Sequence, residues 1–164
     1  MNAGDGTLLE RVQACNARFP VTEDGKYALL SDCEQQWEAY RGEAQPDHAL
    51  TYAVIRMLRH MRRHPEALAL MQQRRPRLAD KEREVAFYEL ELHYLCGDQA
   101  GGDRLLMDFE AGGKLRPSWK RSIERLRARF ENAAAWQELA RLERALGSLE
   151  TTLAPEHWRR CARC

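Results

Sequence analysis

The sequence predicts an all-α fold, and three observations carry that prediction. Half of the 164 residues are Ala, Leu, Glu or Arg, which are strong helix formers. The β-branched residues Val, Ile and Thr, which sheets favour, number only 11 in the whole chain. Apolar residues recur every three or four positions along most of the sequence, the spacing of an amphipathic helix. A β-sandwich, a barrel or a parallel α/β sheet is therefore excluded.

Composition also restricts the class of protein. A charged fraction of 31% is typical of a soluble domain, and the length fits one domain. No run approaches the roughly 18 apolar residues that a membrane span needs, and the first residues do not resemble a secretory signal. The five cysteines are odd in number. We therefore expect reduced thiols and a cytoplasmic protein.

Two helices are predicted in residues 1–46, each from one apolar stripe that ends at a helix-breaking residue. The stripe of the first is Leu8, Val12, Cys15 and Phe19, with Pro20 after it. The stripe of the second is Leu30, Cys33, Trp37 and Tyr40, with Gly42 and Pro46 after it.

The following segments are separated by helix start and stop signals. Asp47 is the predicted N-cap of the third helix, and Pro65 suits the first turn of a fourth. Asp80 precedes a long fifth helix, which Gly97 ends. The remaining boundaries are Gly112 and Gly113 after the sixth helix, Pro117 at the start of the seventh, and a predicted break at Asn132.

The sequence repeats with a period of 34 residues, and residues that lie 34 positions apart form one column of the repeat. One column holds small residues, which allow two helices to approach closely. Another column, four positions later, holds large apolar residues. The small column is Cys33, Ala67, Gly101 and Ala135. The large column is Trp37, Met71, Leu105 and Leu139.

This pattern resembles the tetratricopeptide repeat (TPR), a 34-residue helix–turn–helix unit. Trp119, Ala135 and Leu139 match the family's aromatic, small and bulky places, and residues 64–68 resemble its usual turn. The resemblance covers residues 48–149 and implies antiparallel hairpins stacked as a short TPR-like superhelix. An irregular helical bundle with the same spacing is the alternative.

We therefore expect a single all-α domain over residues 1–164. Its predicted parts are N-terminal helices in residues 1–46, three TPR-like hairpins in residues 47–149, and a C-terminal capping helix or tail in residues 150–164. The atypical N-terminal helices either cap the repeats or form a surface for a homo- or hetero-oligomer.

The sequence contains no short catalytic motif: a GxxxxGKS phosphate loop, a GxSxG motif and an HExxH motif are all missing. We therefore expect a protein that is not an enzyme, although a site assembled from distant helices would leave no such motif. Cys161 and Cys164 form a CxxC near His157, which is half of a zinc site. Because no second CxxC follows, we expect no cofactor. Zinc binding and thiol redox chemistry at this tail are the alternatives.

The TPR resemblance also implies a binding groove, which the first helix of each repeat lines. The implied groove positions are Tyr52, Arg56, Arg59, Arg83, Leu90, His93, Tyr94, Lys120, Glu124 and Arg127. Five of them are basic and one is acidic, and Arg and Tyr are enriched in binding hot spots. The alternative is that these are solvated faces of Arg-rich helices.

The expected function is a protein–protein interaction module, an adaptor or chaperone that binds an acidic or amphipathic segment. Bacterial secretion chaperones with such repeats have a similar length, so the resemblance implies that role as one concrete form. RNA binding by a helical repeat is the alternative, which the net charge of only +1 disfavours. That charge divides into −5 over residues 1–50 and +6 over residues 51–164. The acidic part is therefore either a neighbour of the basic groove or its occupant.

Overall fold

The computed structural model describes residues 6–113 and 115–152, and these residues confirm the all-α prediction. They form seven helices and contain no strand. The helices are α1 (Leu8–Ala17), α2 (Glu23–Arg41), α3 (His48–His60), α4 (His64–Gln73), α5 (Glu82–Leu95), α6 (Gln99–Ala111) and α7 (Pro117–Thr152).

The chain divides into two compact units on either side of the bond between Lys120 and Arg121. The first unit holds α1 to α6 and the first turn of α7. The described part of the second unit is the rest of α7. The expectation of one single domain stays a prediction.

In the first unit, successive helices pack as pairs: α1 with α2, α3 with α4, and α5 with α6. Neighbouring pairs join where α1 packs on α3 and α4 packs on α5. Turns of three residues connect α3 to α4 and α5 to α6, so each of these pairs is an antiparallel hairpin. One core runs through α1 to α5, with Val12, Cys33, Ile55, Met71 and Leu92 among its most buried side chains.

The predicted start signals are confirmed in the structure. The Asp47 side chain caps α3 by accepting a hydrogen bond from the Leu50 N–H at 2.7 Å. Pro65 lies in the first turn of α4, where its missing N–H costs nothing. Asp98, which the sequence analysis does not identify as a start signal, caps α6 by accepting a hydrogen bond from the Gly101 N–H at 2.9 Å.

The end of α3 is a left-handed turn with an unusual residue in it. The N–H of Arg63 donates to the Leu58 carbonyl at 2.9 Å, and the N–H of Arg62 donates to the Arg59 carbonyl at 3.0 Å. This bonding pattern is the Schellman motif, whose left-handed position usually holds glycine. Here Arg62 occupies it with a φ of 61°.

The end of α5 repeats the same motif 35 residues later. The N–H of Asp98 donates to the His93 carbonyl at 2.9 Å, and that of Gly97 donates to the Tyr94 carbonyl at 3.0 Å. Gly97 has a φ of 81°, which glycine adopts without steric cost. The two hairpins therefore share one turn geometry but fill its strained position with different residues.

The small column of the period has its predicted physical role in these hairpins. Ala67 is completely buried, and Gly101 is buried beside Gly102 in α6. A Cβ on Gly101 would lie 2.6 Å from Nδ1 of His93, and one on Gly102, the residue after the column, would lie 2.8 Å from Cζ of Tyr94. The helices α5 and α6 can therefore approach this closely because both residues are glycine. The large Tyr94 ring is completely buried as a result.

The predicted break at Asn132 is wrong, because α7 is one continuous helix from Pro117 to Thr152. No proline or glycine lies between Pro117 and Gly147, and asparagine inside a helix costs only a fraction of a kcal/mol. The third predicted hairpin therefore does not form within the described part of α7, and Leu139 is 44% exposed there. Membership of the TPR family stays a prediction. The predicted cap over residues 153–164 lies outside the described residues.

We expect Arg62→Gly to stabilise the protein, because it relieves the left-handed strain at the end of α3. The expected gain in the free energy of unfolding is about 1 kcal/mol, measured by urea denaturation. Gly97→Ala, at the equivalent position of α5, should cause a loss of about the same size. A loss of stability in Arg62→Gly would contradict this account of the turn.

Candidate functional site

The strongest candidate site is a cavity of about 430 Å³ in the first unit, bounded by α1, α3 and the segment that links α4 to α5. We call it the Tyr52 cavity. Its lining residues are Gln13, Asn16, Ala17, Ala49, Tyr52, Ala53, Arg56, Leu78, Asp80 and Lys81.

Helix geometry and one polar contact position these side chains. Tyr52 and Arg56 are four residues apart on α3 and therefore share a face. Asn16 on α1 donates from Nδ2 to the Ala53 carbonyl on α3 at 2.8 Å, which fixes α1 beside that face. The linker that follows α4 brings Lys81 to the third side of the cavity, just before α5 begins.

Two cations lie against the ring of Tyr52, which is 93% buried. Cζ of Arg56 is 5.9 Å from the ring centroid, and Nζ of Lys81 is 5.7 Å from it. Both distances are within the range of cation–π attraction. Burial raises the pKa of Tyr52 to about 12, and the nearby Tyr88 adds to the rise. The phenol therefore stays neutral at physiological pH.

Among the described residues, the two cations have no ion-pair partner. Neither Arg56 nor Lys81 forms an ion pair with any residue of the described ranges 6–113 and 115–152. Asp80 also lines the cavity, but it is exposed to solvent. The charged groups of the cavity thus sum to +1, with two side chains available to an anion.

Arg59, one turn beyond Arg56, is used differently. Its Nη2 lies 2.6 Å from Oε1 of Glu91 on α5, whose side chain is only 8% exposed. Its guanidinium also lies 5.3 Å from the ring centroid of Tyr88. The predicted groove residue Arg59 therefore joins α3 to α5 and is not available to a partner.

Two predicted groove residues of α5 belong to the core. Leu90 and Tyr94 have no exposed surface, so neither can contact a partner in this conformation. The phenol of Tyr94 instead donates a hydrogen bond to Oδ1 of Asp103 on α6. Their assignment to the groove is corrected by this burial.

The other two predicted groove residues of α5, Arg83 and His93, lie on the side of α5 that faces α6. Nδ1 of His93 is 2.7 Å from Oδ2 of Asp98, at the turn into α6. Arg83 lines a separate cavity of about 200 Å³ together with Leu105 and Phe109 of α6. The structure therefore does not bring Arg83 or His93 to the Tyr52 cavity.

The face of α5 that meets α3 carries Tyr88 and Glu91. The rings of Tyr52 and Tyr88 have centroids 5.8 Å apart and are tilted by 56°. Sequence reasoning missed both residues, and it also missed Gln13 and Lys81. The one available signal was the helical spacing of three between Tyr88 and Glu91, which places them on a common face.

The remaining predicted residues are not among those that line this cavity, or they fall outside the described residues. Lys120 is exposed at the end of the first unit, while Glu124 and Arg127 lie in the second unit. Cys161, Cys164 and His157 fall outside the described residues, so zinc binding and redox chemistry at the tail stay hypotheses.

Metal-ligand clusters and candidate membrane spans are absent from the part of the chain that the structure describes. No group of three or more His, Cys, Asp or Glu there could hold a metal ion. No helix in that part combines the length and apolar character of a membrane span. Cys15 and Cys33 are buried together in the core, and burial raises the pKa of Cys33 to about 12. These thiols are therefore unreactive.

Comparisons with protein-family models, curated proteins and solved structures find no match for this chain. The Tyr52 cavity is thus defined by its own geometry: three elements around a buried aromatic ring, with two unpaired cations. Such an arrangement can bind an anion.

We expect Arg59→Met to destabilise the protein by about 3 kcal/mol, because it leaves the Glu91 carboxylate buried without a counter-charge. The double variant Arg59→Met/Glu91→Leu should recover most of that loss, since neither charge then remains. Urea denaturation of the single and double variants measures the coupling. The exposed pair Arg18 and Asp32 is the matched control, with an expected coupling of about 0–1 kcal/mol. Equal coupling in both pairs would contradict the structural role of Arg59.

We expect the protein to lose stability as the pH falls from 7 through about 6.5. Burial, together with the charge of Arg59, holds the pKa values of His60 and His64 below their ordinary value. The unfolded chain therefore binds more protons than the folded chain in this window, which lowers the free energy of unfolding. The variant His60→Gln/His64→Gln should show a flatter dependence between pH 7 and 5. Identical slopes for the native chain and the variant would refute this assignment.

Proposed function

We propose that this protein is a non-enzymatic protein–protein interaction module, an adaptor or chaperone that binds an acidic segment of a partner at the Tyr52 cavity. The observation that carries the proposal is the pair of unneutralised cations, Arg56 and Lys81, over a buried aromatic ring. A secretion chaperone is the concrete role that the TPR resemblance implies.

The size and composition of the cavity support this proposal. Its volume of about 430 Å³ is within the range of ligand pockets. Arginine and tyrosine are the residue types that most often dominate binding energy at protein interfaces. Helices and a linker supply the walls, and the Tyr52 ring is buried, so the ring is held in place before a partner arrives, which lowers the entropy cost of binding.

The acidic N-terminal helices do not occupy the cavity. Glu34 on α2 pairs with Arg63 at 2.7 Å, and Asp32 on α2 pairs with Arg18 of the turn that follows α1. No acidic residue of α1 or α2 lines the Tyr52 cavity. In the described part of the chain, these helices are therefore neighbours of the cationic site and leave it open to an external acidic group.

The proposal predicts that reversing both charges, Arg56→Glu/Lys81→Glu, abolishes binding to an acidic peptide. The probe is a fluorescein-labelled sixteen-residue peptide of alternating Glu and Ala, and fluorescence anisotropy measures its affinity. The matched control is Arg121→Glu/Arg125→Glu, two exposed residues of α7, which changes the net charge equally and should keep at least half of the native affinity.

The outcomes separate the proposal from its alternatives. Loss of binding in the first variant, with retention in the control, supports it. Equal loss in both variants indicates a diffuse charge effect and overturns the assignment to the Tyr52 cavity. Tighter binding of a sixteen-nucleotide oligouridine than of the peptide would favour the RNA-binding alternative. Circular dichroism of each variant confirms that the helices are intact.

A further inference from the structure

We infer that the Tyr52 cavity takes one glutamate or aspartate side chain from within an extended segment, and that Gln13 of α1 binds the main chain beside that side chain. The inference rests on the proposed function and specifies the chemistry of the same site. Charge, polar groups and space each support it.

The charge of the cavity fits a monoanion. Arg56 and Lys81 contribute two positive charges, and Asp80 contributes one negative charge. A single carboxylate therefore brings the site to neutrality, whereas a dianionic phosphoryl group would leave an excess negative charge beside Asp80. Because like charges at close range raise the cost of binding, the carboxylate is the favoured group.

Gln13 supplies the polar groups that a peptide main chain needs. It is exposed and lines the cavity, and its carboxamide forms no hydrogen bond with any residue of the described ranges. A carboxamide offers an acceptor oxygen and two donor hydrogens, so it can bond a peptide N–H and a peptide C=O at once.

The position of Gln13 is fixed by its neighbour on α1. Asn16 lies three residues further along the helix and is therefore close to the same face. Its bond to the Ala53 carbonyl holds this part of α1 against α3. Gln13 is thus held at the rim of the cavity that contains the two cations.

Three alanines leave the space that the side chain and its flanking peptide groups need. Ala17 of α1 and Ala49 and Ala53 of α3 all line the cavity. Larger side chains at these positions would fill it. Ala17 is exposed at the last position of α1, so Ala17→Leu can obstruct the cavity without disturbing the core.

The experiment compares four small probes by NMR titration of the full chain. They are N-acetyl-glutamate N-methylamide (capped glutamate), the corresponding capped glutamine, acetate and inorganic phosphate. Capped glutamate should bind about tenfold more tightly than acetate, because one or two hydrogen bonds to Gln13 are added. Capped glutamine should not bind, and phosphate should bind more weakly than capped glutamate.

The variants locate these contacts. Gln13→Ala should remove the difference in affinity between capped glutamate and acetate, and Ala17→Leu should weaken the binding of both probes. Gln35→Ala is the control, because Gln35 is an exposed carboxamide residue on α2 that does not line the cavity. This variant should keep the native ratio of the affinities for capped glutamate and acetate.

The possible results also distinguish this inference from the proposed function. Three results would overturn the inference. The first is an unchanged ratio of the affinities for capped glutamate and acetate in Gln13→Ala. The others are tighter binding of phosphate than of capped glutamate, and no binding of capped glutamate. Loss of acidic-peptide binding in Arg56→Glu/Lys81→Glu would still support the proposed function in those cases. If capped glutamate binds as expected but the acidic peptide does not bind, the contacts to the carboxylate and to Gln13 are supported, but the extended segment and the proposed function both fail.

Discussion

The partly buried ion pair between Arg59 and Glu91 is the interaction on which the packing of α5 against α3 depends. It joins α3 to α5 at 2.6 Å, next to the contact between the rings of Tyr52 and Tyr88. Removing either charge would leave the other buried without its partner, so the pair holds the two helices in one arrangement. Arg59 is occupied by its ion pair with Glu91, whereas Arg56, three residues earlier on α3, lines the cavity and can contact an external group. One ion pair thus determines which arginine is structural and which is available.

Local sequence signals were sufficient to predict most helix boundaries. Asp47, Pro65 and Gly97 act through bonds and backbone angles within one turn, so their effect does not depend on the rest of the fold. Asn132 shows the limit of such signals. Asparagine disfavours a helix only weakly, and no proline or glycine near it reinforces that preference in α7.

The site was less predictable because it depends on how helices are rotated against one another. A period of 34 residues identifies the apolar stripe of α5 but does not say which flank of the stripe meets α3. The period therefore places Leu90 and Tyr94 in the groove although they are buried, and it does not identify Tyr88 or Glu91. Lys81 and Gln13 come from a linker and from α1, outside the repeat pattern, so only the folded chain brings them to Tyr52.

The division of charge along the chain gains a physical meaning from these contacts. Part of the acidic excess of the first 50 residues is used on α2, where Glu34 and Asp32 pair with arginines. Because α1 rather than α2 lines the Tyr52 cavity, the wall that the N-terminal helices contribute carries Gln13, Asn16 and Ala17, which are uncharged. An acidic residue at either position would partly neutralise Arg56 and Lys81 within the chain. The protein therefore combines an acidic N-terminal part with a cationic cavity by keeping their charges on different helices.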